Sequence, residues 1–156
     1  MSYVKHVLQP EEKILVDGRI SWVVYHRAIF SAIVALAFLA FWYKFDESSV
    51  AWLGLAGAAI FGFLALISAI HAWFIRFTTE IAVTNKRIIY KRGLITRHTA
   101  EMNMDKVASV DVDQSLLGRI FNYGSIQILG TGGARGIERL SMIHSPLALR
   151  NAIDVR

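Results

Sequence analysis

The stretches WVVYHRAIFSAIVALAFLAFW, residues 22–42, and WLGLAGAAIFGFLALISAIHAW, residues 52–73, decide how this chain is organised. Each is apolar almost throughout and bracketed by tryptophans. At about 1.5 Å per residue the two Trp-to-Trp steps span roughly 30 Å and 32 Å of helix. A bilayer hydrocarbon core is about 30 Å thick. Tryptophan prefers the headgroup level, so paired aromatics at this spacing read as interface anchors. The expectation is two transmembrane helices, Ser21–Tyr43 and Val50–Ile75. The short link Lys44–Ser49 makes them antiparallel neighbours.

Composition agrees. Of 156 residues, 54% are hydrophobic, and the mean hydropathy is +0.43. The apolar excess lies between Ala28 and Ile75, and the remainder has the balance of a small soluble domain. There are no cysteines, which excludes disulfides, thiolate metal sites and cysteine nucleophiles. The net charge is +5, and its placement matters more than its sum. Lys44 is the one base in the link, beside Asp46 and Glu47. Arg19 and Arg27 flank the first helix, and Arg76, Lys86, Arg87, Lys91 and Arg92 follow the second. By the positive-inside rule a multi-pass membrane protein with both termini cytoplasmic is expected, the Lys44–Ser49 loop lying on the far side. The apolar run opens late, after Glu11, Glu12 and Asp17, so an uncleaved anchor is expected rather than a signal peptide.

The second helix carries Gly54, Ala58 and Gly62 at four-residue steps, the small-residue pattern that lets helix backbones approach closely in lipid. The seam suits either the first helix or another subunit. After Phe77 the period shortens to two. Strands are expected over Lys13–Arg19, Thr78–Val83, Arg87–Lys91, Leu94–Met102, Val107–Asp113, Ser125–Leu129 and Ile137–Met142. Ala108, Val110 and Val112 share one strand face, and Ile126 and Ile128 point inward. Ser115–Phe121 reads as a short amphipathic helix, capped by Asp113 or Ser115 and followed by Gly124. Ser145-Pro146 opens a last helix whose apolar face is Leu147, Leu149 and Ile153.

These residues resemble the bacterial membrane-anchored pleckstrin-homology-like (PH-like) family over nearly the whole chain. The likeness starts in Pro10-Glu11-Glu12-Lys13-Ile14-Leu15 and Asp17-Gly18-Arg19. It is most specific in Ala82-Val83-Thr84-Asn85-Lys86-Arg87-Ile88-Ile89 with Lys91-Arg92-Gly93-Leu94. It continues in Met104-Asp105-Lys106-Val107, and in Gln114-Ser115-Leu116-Leu117-Gly118-Arg119 with Tyr123-Gly124. The resemblance implies a two-helix membrane hairpin plus a β-rich, partly open barrel with a C-terminal helix. The division expected is residues 1–20 as an N-terminal segment holding the first strand, 21–75 as the hairpin, and 76–156 as the PH-like domain. Bacterial relatives of the fold tend towards homo-oligomers, so one is expected here.

Other chemistry is thinly represented. Gly130–Gly136 lacks the strand–loop–helix context and the Lys-Ser/Thr ending of a phosphate loop, and reads as a hairpin tip. Asp111 and Asp113 share a polar strand face with no third ligand, which fits a solvated surface. The five histidines have no metal-ligand spacing. His71 lies in the second helix but close to its aromatic end, where a polar side chain reaches the interface. No nucleophile, base and orienting group stand at legible spacing, so no enzyme and no cofactor or metal is expected.

From Arg76 to Arg156 twelve basic residues face seven acidic ones. Arg76, Lys86, Arg87, Lys91, Arg92 and Arg97 are the candidate contacts to anionic lipid headgroups, although the same charges satisfy topology alone. Nucleic acid is not an expected partner, because aromatics do not interleave with these cations. The function expected is a non-enzymatic scaffold or binding module at the cytoplasmic face, serving protein–protein assembly, anionic lipid binding, or both. The alternative is an oligomeric channel or transporter built from the hairpins. Its lining would have only Ser31, Ser68 and His71 as polar groups.

Overall fold

The computed structural model describes residues 4, 7–45, 50–93, 98–131 and 137–154. Two compact units result, one of Val24–Phe74 and one of Met1–Val23 with Ile75–Arg156.

The first unit is a pair of antiparallel helices. Helix α1 is His26–Lys44, led in by a 3-10 turn at Trp22–Tyr25. Helix α2 is Ala51–Thr78, running three residues beyond the expected Ile75. Small residues line the buried seam: Ala28 and Ala35 on α1, Ala51, Ala58 and Ala72 on α2. The Phe38 and Phe61 rings stack across it at 5.6 Å. Most of the remaining large apolar side chains of the pair are bare. Phe30, Ile33, Leu36, Ile60, Phe63 and Leu66 are exposed. Only 11% and 6% of the two most apolar stretches are buried. A core helix of a soluble protein would be mostly covered, so these helices are not part of a core within this chain. Both are long and apolar enough to cross a membrane.

Among the described residues the second unit holds seven strands in two antiparallel sheets. The first sheet has the order β1-β2-β3-β4, from Ile14–Gly18, Glu80–Thr84, Arg87–Arg92 and His98–Asn103. The second has the order β5-β6-β7, from Val107–Asp113, Tyr123–Gly130 and Ile137–His144. Strand β1 precedes both long helices and β2 follows them, yet the two pair directly, Val16 opposite Val83 and Gly18 opposite Ile81. The helices therefore occupy the place of a β1–β2 connection.

The sheets join where the chain leaves β1. Ile20 bridges Ile143, the Ser21 amide donates to the Met142 carbonyl and the His144 amide to the Arg19 carbonyl. Ile81, Val83, Ile88, Tyr90 and Met102 of the first sheet meet Val110, Ile126, Ile128, Leu140 and Ile143 of the second in one core. The last helix, α4 at Pro146–Asp154, adds Leu149 and Ile153. Leu147 lies on the other side and is exposed, because two residues turn a helix by about 200°. The fold is thus PH-like: two packed sheets with a closing helix, not a closed barrel. Strands β2 and β3 are buried on both faces, with Val4 packed beside Ala82 and Ile89 on the outer side. That explains why they read as continuous apolar runs.

Three local expectations are corrected. Ala108 is exposed rather than inward, because the register skips between Val107 and Ser109 and makes it the extra residue of a bulge. The short helix, α3 at Leu116–Ile120, is capped by Ser115, whose Oγ accepts from the Gly118 amide at 3.0 Å. The left-handed residue after it is Asn122, not Gly124. The Ser145 hydroxyl accepts from Asn122 Nδ2 at 2.8 Å, and its backbone is left-handed, so it is not an extended N-cap of α4. The tip at residues 132–136 lies outside the described residues.

Candidate functional site

The densest polar site lies where the N-terminal lead-in meets the β2–β3 turn. A tight turn brings the Glu12 amide to the Gln9 carbonyl at 3.0 Å, with Glu11 left-handed at φ 71°. This throws the Glu12 side chain inward, fully buried. Its Oε1 accepts from the Thr84 hydroxyl at 2.7 Å and from Arg87 Nε at 3.1 Å. Its Oε2 accepts from the Gln9 amide at 2.9 Å and Arg87 Nη2 at 3.1 Å. Arg87 also donates from Nη2 to the Val7 carbonyl at 2.8 Å and from Nη1 to Glu101 Oε2 at 2.7 Å. Asn85 binds the same segment, its Oδ1 accepting from the Lys13 amide and its Nδ2 donating to the Glu11 carbonyl.

Burial alone would raise the Glu12 pKa. Hydrogen bonds from Arg87, Gln9 and Thr84, with the Arg87 charge, outweigh it and hold the carboxyl at about 2. The site is consequently an ionised, satisfied clamp. Its two halves both fall in family-like stretches, Glu11-Glu12-Lys13 where the resemblance starts and Thr84-Asn85-Lys86-Arg87 where it is strongest. Sequence reading missed the pairing. The signal available was one acid and one arginine, each set against an apolar run.

The fold disperses the candidate lipid contacts that lie among the described residues. Arg87 is only 14% exposed and committed to two carboxylates, so it is not available to a headgroup. Lys86 is exposed at the turn end of β3. Lys91 and Arg92 sit at the opposite end, with Lys91 across from Glu80 just after α2. Five residues of strand separate Lys86 from Lys91, roughly 17 Å. Arg76 is exposed on the last turns of α2. Arg97 lies outside the described residues. A shallow cleft of about 400 Å³ beside the clamp is lined by Asn85, Lys86, Asn103 and Asp105 among others.

The candidate helix seam also divides. A Cβ at Gly54 would stand 2.7–2.9 Å from Trp42 Cβ and backbone, so Gly54 is a point of close approach to α1. Ala58 is buried beside it. Gly62 has nothing within 4 Å of such an atom. Gly57, not singled out in the sequence, touches the Phe38 ring.

Helix α3 presents the least expected surface. Its glycine faces inward: a Cβ at Gly118 would meet the Tyr123 carbonyl oxygen at 2.6 Å. Its apolar side chains face out, with Leu116 79%, Leu117 59%, Ile120 73% and Phe121 44% exposed. Trp22 meets Phe121 edge to face at 5.7 Å. Elsewhere, Asp113 accepts from Arg139 Nη2 at 2.8 Å on the solvent side of the sheet. No group of three or more metal-ligating side chains occurs among the described residues.

A search of curated proteins and of solved structures finds no significant match. The family described as bacterial PH domain matches residues 20–154, from the Ile20 bridge to the end of α4. That span contains both apolar helices, every described strand but β1, and the β2–β3 half of the clamp, and PH-like domains are generally non-catalytic. The chain belongs to the bacterial PH domain family.

Proposed function

We propose that this protein is a non-enzymatic inner-membrane module whose two helices cross the bilayer and hold a PH-like domain at the cytoplasmic face. There the domain binds anionic headgroups or a protein partner, including further copies of itself. One observation carries the reading. Strands β1 and β2 are hydrogen-bonded partners on either side of the two bare apolar helices. Two segments that pair must lie on the same side of a membrane, so the helices between them cross an even number of times. The bare apolar surface needs lipid, and the excess of Lys and Arg beyond α2 selects the cytoplasmic side.

Arg76 and Arg92, with Lys91, lie near the end of the domain where α2 enters it, which supports contact with acidic lipid at about 1 kcal/mol per base. Strands β4 and β5 are sheet edges, and edges are a ready route to assembly.

The native chain has no cysteine, so single-cysteine labelling with a membrane-impermeant maleimide is clean. Lys44→Cys should label from outside intact spheroplasts, and Asp105→Cys only after permeabilisation. The opposite pattern overturns the topology. Purified in mild detergent, the Arg76→Glu, Arg92→Glu double variant should retain less phosphatidylglycerol than the parent. Equal retention would mean these bases set orientation alone.

A further inference from the structure

We propose that α3 is a membrane-surface wedge whose apolar face inserts into the headgroup–acyl boundary of the cytoplasmic leaflet, alongside Trp22. The inference rests on the membrane reading above and assigns that membrane a second contact, made by the domain itself.

The helix is built the wrong way round for a soluble domain. Leu116, Leu117, Ile120 and Phe121 fall within about 140° of the helix circumference, one face by the 3.6-residue repeat. Ordinarily that face would pack on a core. Here Gly118 backs onto the Tyr123 carbonyl with no room for a methyl group, which fixes the helix with its apolar face outward. The Ser115 cap holds the first turn in place. Four large apolar side chains side by side on a single short turn are a patch, not scattered surface residues.

Trp22 identifies what covers the patch. Its ring lies edge-on to Phe121 at 5.7 Å, and it is still 49% exposed. It is also the first residue of the first apolar span, Trp22–Lys44. A tryptophan at the mouth of a span sits at headgroup level. Phe121 is then at that level too, and Leu117 and Ile120 lie within about one helical turn of it. Interfacial helices bury their apolar face about 5–10 Å deep, which side chains of this length reach. Arg119 is exposed on the flank, where phosphate groups would lie. A second copy of the chain is the other candidate cover, but it would not explain the contact with the tryptophan that opens a span.

The test uses the full chain in vesicles of phosphatidylethanolamine and phosphatidylglycerol, with an environment-sensitive fluorophore on one introduced cysteine. The sites are Ile120→Cys on α3, Phe63→Cys on the bare face of α2, and Asp105→Cys at the far end of the second sheet. Quenching by lipids with a shallow or a deep doxyl group reports depth. The expected result is a blue shift and shallow-doxyl quenching at residue 120, deep-doxyl quenching at 63, and neither at 105. In a Leu117→Glu, Ile120→Glu background, a label at Leu116→Cys should lose its blue shift. Quenching at 63 but not at 120, whether 120 is wet or covered by a second copy, overturns the wedge and leaves the hairpin standing. An unchanged label at 116 in the glutamate background also overturns it. No quenching at 63 removes the membrane reading and this inference together.

Discussion

Glu12 shows how one carboxylate can tie the lead-in to the sheet. It is buried, ionised and bonded to Arg87, so removing its charge leaves a buried guanidinium with Glu101 as its remaining acid. Breaking a buried pair from one side costs about 3–5 kcal/mol. Glu12→Gln should lower the hydrogen-exchange protection of β1–β3 amides by a loss in that range. The pH dependence has a definite sign. The folded carboxyl titrates at about 2 against an ordinary 4.5. Its contribution is complete above about pH 4.5 and disappears as pH falls towards 2. Protection should fall across that window in the parent and stay nearly flat in Glu12→Gln. Gly118 is the other decisive residue. Gly118→Ala drives a Cβ into a backbone oxygen that cannot move aside, and about 1–3 kcal/mol of destabilisation is expected in thermal unfolding in detergent. Neither role was legible from the residues. One of two adjacent acids near the start of the sequence looks like surface, and the glycine of Leu-Leu-Gly-Arg gives no hint of what stands behind it.

Among the elements, periodicity was a good guide wherever one face is buried. Val107–Asp113 has the expected bounds, and Ile126 and Ile128 are fully buried as their alternation implied. It failed at Ala108, because a bulge adds a residue without changing composition. It also could not say which way α3 turns, since the pattern marks a face and not its destination. The Gly54–Ala58–Gly62 stripe behaves likewise, being one pattern with two environments. Gly54→Ala should force α1 and α2 apart and speed thermal unfolding of the helix pair, because the obstruction is Trp42 backbone. Gly62→Leu should leave the pair intact, since the space beside it is open. A change of detergent-solubilised size in Gly62→Leu alone would identify that end of the stripe as a contact between copies.

For the whole molecule, composition and order of elements were enough to separate two apolar helices from a β-rich domain, and the motifs were enough to name the family. The first strand expected within residues 1–20 does pair across both helices, β1 with β2, an arrangement the family resemblance implied; local pattern could not supply its register, because the two strands lie on either side of the hairpin. The Glu12 clamp and the Ile20 bridge likewise lay beyond local pattern. Deleting residues 1–19 should expose the β2 edge and strand Arg87 without its buried partner. Such a chain should aggregate on solubilisation even when its helices insert, as size-exclusion profiles would reveal. The β1–β2 pairing also imposes an order on biosynthesis. Strand β1 leaves the ribosome before either helix, and its partner emerges only after the second helix has been made. The first sheet therefore cannot close until the hairpin is through, and a nascent chain that stalls in translocation keeps an open edge for the cell's proteases to read.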